Sequence, residues 1–105
     1  MNVIFNRAHA EELRSKYTVL ELETFDVKGM QLECFCVVDG DLIPPTEMNQ
    51  LPHNVLSHET LVTELKAKNY KACSILLDQL HGQFGGQLDS FYEIMQERIT
   101  NSTLV

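Results

Sequence analysis

At 105 residues, 44% of them hydrophobic and 22% charged, the chain has the length and composition of one globular domain with a single core. No apolar run approaches the roughly 18 residues that cross a membrane. A formal net charge of −7, from 15 acidic and 8 basic residues, argues against a surface built for nucleic acid or anionic lipid, because phosphates are held by clustered Lys and Arg.

The N-terminal stretch MNVIFNRAHAEELRSK lacks the basic segment, apolar stretch and small-residue cleavage site of a secretory leader, so a cytoplasmic location is expected. Three cysteines, an odd number, fit reduced thiols better than a disulfide framework. Asn101-Ser102-Thr103 matches a glycosylation acceptor, but a chain that is never secreted would not be modified there.

Asn6 is predicted to cap a first helix over RAHAEELRSK, in which Ala8, Ala10 and Leu13 form a narrow apolar stripe. YTVLELETFD and MQLECFCVVD both alternate and are rich in β-formers. VKG between them supplies a turn, and the pattern predicts a β-hairpin. With a three-residue loop at Val27, Lys28 and Gly29, Leu20 lies opposite Cys36 and Leu22 opposite Cys34. One face then carries Leu20, Leu22, Leu32, Cys34, Cys36 and Val38. The other carries Val19, Glu21, Glu23, Phe25, Glu33, Phe35 and Val37, with Glu23 opposed to Glu33. Like charges in register are destabilising, so this second face is expected to be exposed. A two-residue turn would instead seat Leu22 against Phe35, and the sequence leaves both registers open.

GDLIPPTEMNQLPHN reads as a loop, with Pro44-Pro45 extended and Pro52 blocking a helix before about His53. Helical patterning follows from Asn54 or Ser57. Leu61, Val62 and Leu65 form one stripe; Tyr70, Cys73, Leu76, Leu77 and Leu80 form a second, with a break at Asn69. Gly82 and Gly85-Gly86 close that helix, and Leu88, Phe91, Ile94, Met95 and Ile99 mark a last one before a frayed NSTLV tail. The order predicts a small single α+β domain over residues 1–105. An antiparallel β-hairpin or small sheet, with an added strand from NVIF or DLI, packs three to four helices on one face.

Cys34 and Cys36, two apart in a strand, share one side with Leu32 and Val38. That placement predicts buried apolar thiols over a zinc site, which would need two further ligands from His53, His58, Cys73 and His81 without any C-x₂₋₄-C knuckle. Ser57, His58 and Glu59 are adjacent and read as a helix start, with Ser57 as cap, rather than a catalytic triad. The glycines of HGQFGGQ follow a helix, where a phosphate loop requires a strand. DGDLIPPTE lacks the ligand offsets of a calcium loop. No cofactor, metal or catalytic constellation is therefore expected.

What remains is charge. The excess lies early, with a net of −5 over residues 1–50 and −2 over the rest. Carboxylates interleaved with apolar side chains give anchors inside an attractive field. The sequence points to a small acidic protein-binding module, of the immunity or antitoxin type, that neutralises a basic partner such as a nuclease toxin. Its expected contacts are Glu21, Glu23, Phe25, Glu33, Phe35, Asp39 and Asp41. Two alternatives are a metal- or thiol-dependent regulator using Cys34 and Cys36 with a histidine, and an oligomerising structural or adaptor protein built on the last helices.

Overall fold

The computed structural model describes residues 2–103; Met1, Leu104 and Val105, the last two belonging to the expected frayed tail, lie outside the described residues. Strands β1 (Asn2–Ile4), β2 (Thr18–Val27) and β3 (Met30–Val38) form an antiparallel sheet in the order β1-β3-β2. Helices α1 (Arg7–Leu13), α2 (Leu51–Lys66), α3 (Tyr70–Leu80) and α4 (Asp89–Thr103) complete an α+β domain. Three short 3₁₀ segments, Gly40–Leu42, Pro45–Gln50 and Phe84–Gly86, sit in the connections. Among the described residues no helix is long and apolar enough to cross a membrane.

The helices cover both faces of the sheet, not one. Leu20, Leu22, Cys34, Cys36 and Val38 join Leu61, Cys73, Leu77, Leu80, Leu88, Phe91, Tyr92, Met95 and Ile99 in the main core against α2–α4. On the opposite face Val19 and Phe35 pack with Ala10 and Leu13 of α1, Ile4 and Val37. The face expected to be exposed is thus closed where α1 lies on it, because the apolar stripe of that helix needs an apolar surface to bury. Asn6 caps α1 as expected, its side chain accepting from the His9 backbone N–H at 2.9 Å.

The hairpin register is a composite. Val27 pairs with Met30, so the turn has two residues, Lys28 and Gly29, both at positive φ (52° and 82°). This is the type I′ arrangement, whose twist matches the flanking strands. The sequence left this turn and a three-residue loop both open, and the two-residue form is the one adopted at the tip. From Glu23 opposite Cys34 the register then shifts, and Glu21 opposes Phe35, Leu20 opposes Cys36 and Val19 opposes Val37. Leu22 is the extra residue of a β-bulge, which leaves Leu22 and Glu23 both on the α2–α4 side. Glu23 does not oppose Glu33; Thr24 does.

Proline and serine misled about where α2 begins. Pro52 stands in the first turn, where a missing N–H costs nothing, and the helix starts at Leu51. Ser57 is consequently mid-helix rather than a cap. The break at Asn69 is real: Lys68 takes a φ of 59°, its N–H donates to Leu65 O at 3.1 Å, and Asn69 N–H donates to Glu64 O at 3.0 Å. Those two bonds are a Schellman closure with lysine at the position usually held by glycine.

The segment between β3 and α2, expected as a free loop, is fastened to the α3–α4 connection. The Gln87 side chain accepts from Asp39 N–H at 2.9 Å and donates to Asp39 O at 2.9 Å and to Phe84 O at 2.8 Å. Gly85 lies so close to Leu42 that an added Cβ would meet its carbonyl oxygen at 2.1 Å. Only glycine permits that approach.

Candidate functional site

Each of the seven expected contact residues finds a definite place, and they do not form one surface. Phe35 is fully buried beneath α1 and is removed from any contact surface. Its ring carries the Arg7 guanidinium at 5.1 Å. The reason is the inner half of the hairpin: α1 packs there, and a phenylalanine under a helix stabilises the fold instead of meeting a partner.

The three glutamates are engaged within the chain. Arg7 donates from Nε to both Glu33 carboxylate oxygens, at 3.0 and 2.9 Å, and from Nη2 to Glu33 as well as to Glu21 at 3.1 Å. These hydrogen bonds raise the Arg7 pKa and lower that of Glu33. Lys66, at the end of α2, reaches Glu21 at 2.6 Å. Arg98 of α4 holds Glu23 through both oxygens, at 3.1 and 3.0 Å. The bulge puts Glu23 and Glu33 on opposite faces, so Arg98 serves Glu23 while Arg7 is shared by Glu33 and Glu21.

Phe25 remains outside both cores. It is 38% exposed, alongside Val27 at 49%, Met30 at 74% and Leu32 at 38%. These four are the paired residues Phe25–Leu32 and Val27–Met30, two apart along each strand, so they share one side. They form the outer arm of the hairpin beyond the bulge.

Asp39 and Asp41, at the far end of β3 from this arm, are exposed and make no ion pair among the described residues. Asp39 Oδ1 accepts from Asp41 N–H at 2.9 Å. Both line a cleft of about 520 Å³ between α1 and the end of the sheet, whose wall includes Ile4, Leu13 and the half-exposed Tyr17. Two carboxylates without an ion pair among the described residues, beside an aromatic ring, suit a cationic side chain, since charge and ring quadrupole act in the same sense.

The cysteine and histidine candidates divide differently. Cys34, Cys36 and Cys73 are free and buried, and burial, with Cys34 next to it, pushes the Cys36 thiol up to about 12. Such thiols are held as neutral apolar groups. Among the described residues no three His, Cys, Asp or Glu side chains converge as a metal-holding group.

His58 is the residue whose role the sequence did not disclose. It is fully buried, with Nε2 2.6 Å from the Glu21 backbone carbonyl and Nδ1 2.9 Å from Tyr92 Oη. Nε2–H therefore donates to the carbonyl, and Nδ1 accepts the phenolic hydrogen. Burial lowers the His58 pKa and raises that of Tyr92, so both groups stay neutral in these roles. The imidazole ties α2 and α4 to the edge of β2 beside the bulge. Its fixed partners are a backbone carbonyl and a phenol, which leave it no free nitrogen for metal or catalysis.

Comparisons with protein-family models, curated proteins and solved structures find no match.

Proposed function

We propose that this chain is a small acidic protein-binding module that holds a basic protein, as an immunity or antitoxin-type inhibitor holds a nuclease toxin in the cytoplasm. The observation supporting this reading is the cleft at Asp39 and Asp41. Of the six carboxylates in the β2–β3 hairpin and its exit, Glu21, Glu23 and Glu33 are paired with cations within the fold, while Asp26 and Asp39 each accept one backbone N–H, at 3.1 and 2.9 Å, and with Asp41 have no ion pair among the described residues. Asp39 and Asp41 face solvent beside Tyr17. A lysine or arginine of the partner enters this cleft, and the overall charge of −7 steers the approach. The carboxylates then occupy cationic groups that a nuclease uses for phosphate.

The test is capture of partners on immobilised protein from the source cells, identified by mass spectrometry, over a salt series and with the double variant Asp39→Asn, Asp41→Asn. The expected result is a basic partner released progressively by salt and held about tenfold or more weakly by the variant, about 1.4 kcal/mol or more. Glu12→Gln, a charge removed elsewhere, serves as control and should change binding little. A partner bound equally well by the double variant and the native chain overturns the assignment to this cleft.

A further inference from the structure

The outer arm of the hairpin has an unpaired edge as well as an exposed apolar side, and the two occur at the same residues. Among the described residues strand β3 is paired on both sides, whereas β2 is paired only with β3. Over its inner half the free edge of β2 is closed by side chains: Arg14 Nη1 donates to Val19 O at 3.0 Å, and His58 donates to Glu21 O. Beyond the bulge no such cover exists among the described residues. In a two-residue hairpin the closing pair, here Val27 and Met30, exchanges both hydrogen bonds, so the alternation turns the N–H and C=O of Thr24 and Asp26 outward. Edges of this kind are normally blunted or used.

We infer that a second copy of this chain occupies the edge, its β2 running antiparallel about a two-fold axis at Phe25. In that register Thr24 of each copy pairs with Asp26 of the other, and all four outward groups gain partners. Phe25 faces Phe25 of the second copy on the side that carries Val27, Met30 and Leu32. On the opposite side the Thr24 hydroxyl meets the Asp26 carboxylate. No like charges are directly opposed, and Lys28 of the second copy arrives beside Leu22. The strand can extend no further, because α2 closes the edge there.

The same surface supplies area. Next to the open edge lies a groove of about 380 Å³ lined by Leu22, Val62, Leu65, Tyr70, Met95 and Ile99, on the same side of the sheet as the apolar face of the arm. The four arm residues expose a patch on the order of 350 Å² per copy, within the range of the largest patches that monomers carry. Edge pairing buries the Phe25 rings and the strand edges between the copies and joins the two patches into one apolar strip, an interface at the small, weakly associating end of the range. The interface is isologous and closes at two, the commonest symmetry of soluble assemblies. It is independent of the Asp39–Asp41 cleft, which lies at the other end of β3.

Sedimentation of the native chain between about 5 and 500 µM, a span chosen to bracket micromolar affinity, should show mass rising from 12.0 kDa towards twice that value. Thr24→Pro removes an outward N–H that the monomer does not use and should abolish the dimer while leaving the far-ultraviolet circular dichroism unchanged. Phe25→Cys supplies a second readout. Opposed residues of a non-hydrogen-bonded pair lie about 4.5 Å apart at Cα, inside disulfide range, so mild oxidation should give a covalent dimer in high yield. Val27→Cys, about 13 Å from its counterpart in this register, should not cross-link. A native chain that stays monomeric throughout, a dimer unaffected by Thr24→Pro, or cross-linking equal at Phe25→Cys and Val27→Cys overturns the inference. If Thr24→Pro fails to fold, the cross-linking pair decides.

Discussion

One hairpin contains two environments. In its inner half, residues 18–21 against 35–38, side chains of both parities are covered, one set by α2–α4 and the other by α1. In its outer half, residues 23–27 against 30–34, the same alternation continues with only partial cover. The inner half is the richer in β-formers, with Thr18, Val19, Phe35, Val37 and Val38 against Thr24, Phe25 and Val27 in the outer half, and it is the half on which the helices pack. The bulge at Leu22 marks the border, and His58 holds it. An alternating pattern states which residues share a side; it does not state whether that side has a partner.

The sharpest way to break the contrast is to truncate one aromatic in each half. Phe35→Ala removes a ring with no exposure and should destabilise by about 3–5 kcal/mol in urea unfolding. Phe25→Ala, on the arm, should cost under about 1 kcal/mol in the monomer, because its surface is already partly wet. Comparable losses at the two sites would show that the arm packs as tightly as the body.

Next in size is the border itself. His58→Phe preserves an aromatic shape but strips the Glu21 carbonyl and the Tyr92 hydroxyl of their partner, at an expected cost of about 1–3 kcal/mol. Native-state hydrogen exchange should then locate the loosening at the bulge, in the amides of residues 21–23. Exchange unchanged there would mean that the bulge holds without the histidine.

The pH dependence follows from the same residue. The folded-state pKa of His58 is lowered by burial, so below the unfolded value of about 6.5 the unfolded chain binds a proton that the folded chain refuses. Stability is unaffected by His58 above that value. It falls as pH drops below it, with a slope of up to about 1.4 kcal/mol per pH unit. Glu33, whose pKa is lowered by its hydrogen bonds to Arg7, contributes in the same direction but only as pH falls through the carboxylate range. Urea unfolding from pH 7.5 to 5 should therefore lose its slope in His58→Phe and keep it in Glu33→Gln. A native slope that persists in His58→Phe would assign the effect elsewhere.

The smallest effect lies at the tip. Lys28 sits at a φ of 52°, where asparagine or glycine is better tolerated, so Lys28→Asn should raise stability by about 0.5–1 kcal/mol. The arm would be sharpened without any change in the body.

Much of this was legible. Periodicity located the hairpin and most of the apolar stripes of the helices, with Ala8 of the first stripe left exposed, Asn6 announced its cap, and the shared side of Cys34 and Cys36 placed them in the core. The Ala10 and Leu13 stripe and the Val19, Phe35 and Val37 stripe were each visible, but their mutual fit needs the chain to turn back at Tyr17 and lay one on the other. The bulge was not legible, because a tertiary bond from a histidine 37 residues away helps define it. The ion pairs were hidden for the same reason: Lys66 and Arg98 approach Glu21 and Glu23 only after α2 and α4 have packed. A charge count therefore overstated how much of the acidic surface is free. Ile94, assigned to the last stripe, is 48% exposed, and Tyr92 takes the buried position instead.

The Gln87 clamp on Asp39 links the acidic cleft to the helices on the other side of the sheet. Asp39 N–H is bound by a side chain from the α3–α4 connection, and that connection is itself pressed on Leu42 through Gly85. The Asp39 amide thus sits in an irregular segment but exchanges with deuterium only when a contact 48 residues away in sequence is released. An occupant of the cleft that steadies residues 39–43 should slow exchange at Gly85 to Leu88 as well, so that a ligand held at one end of β3 writes its signature on a turn it never touches.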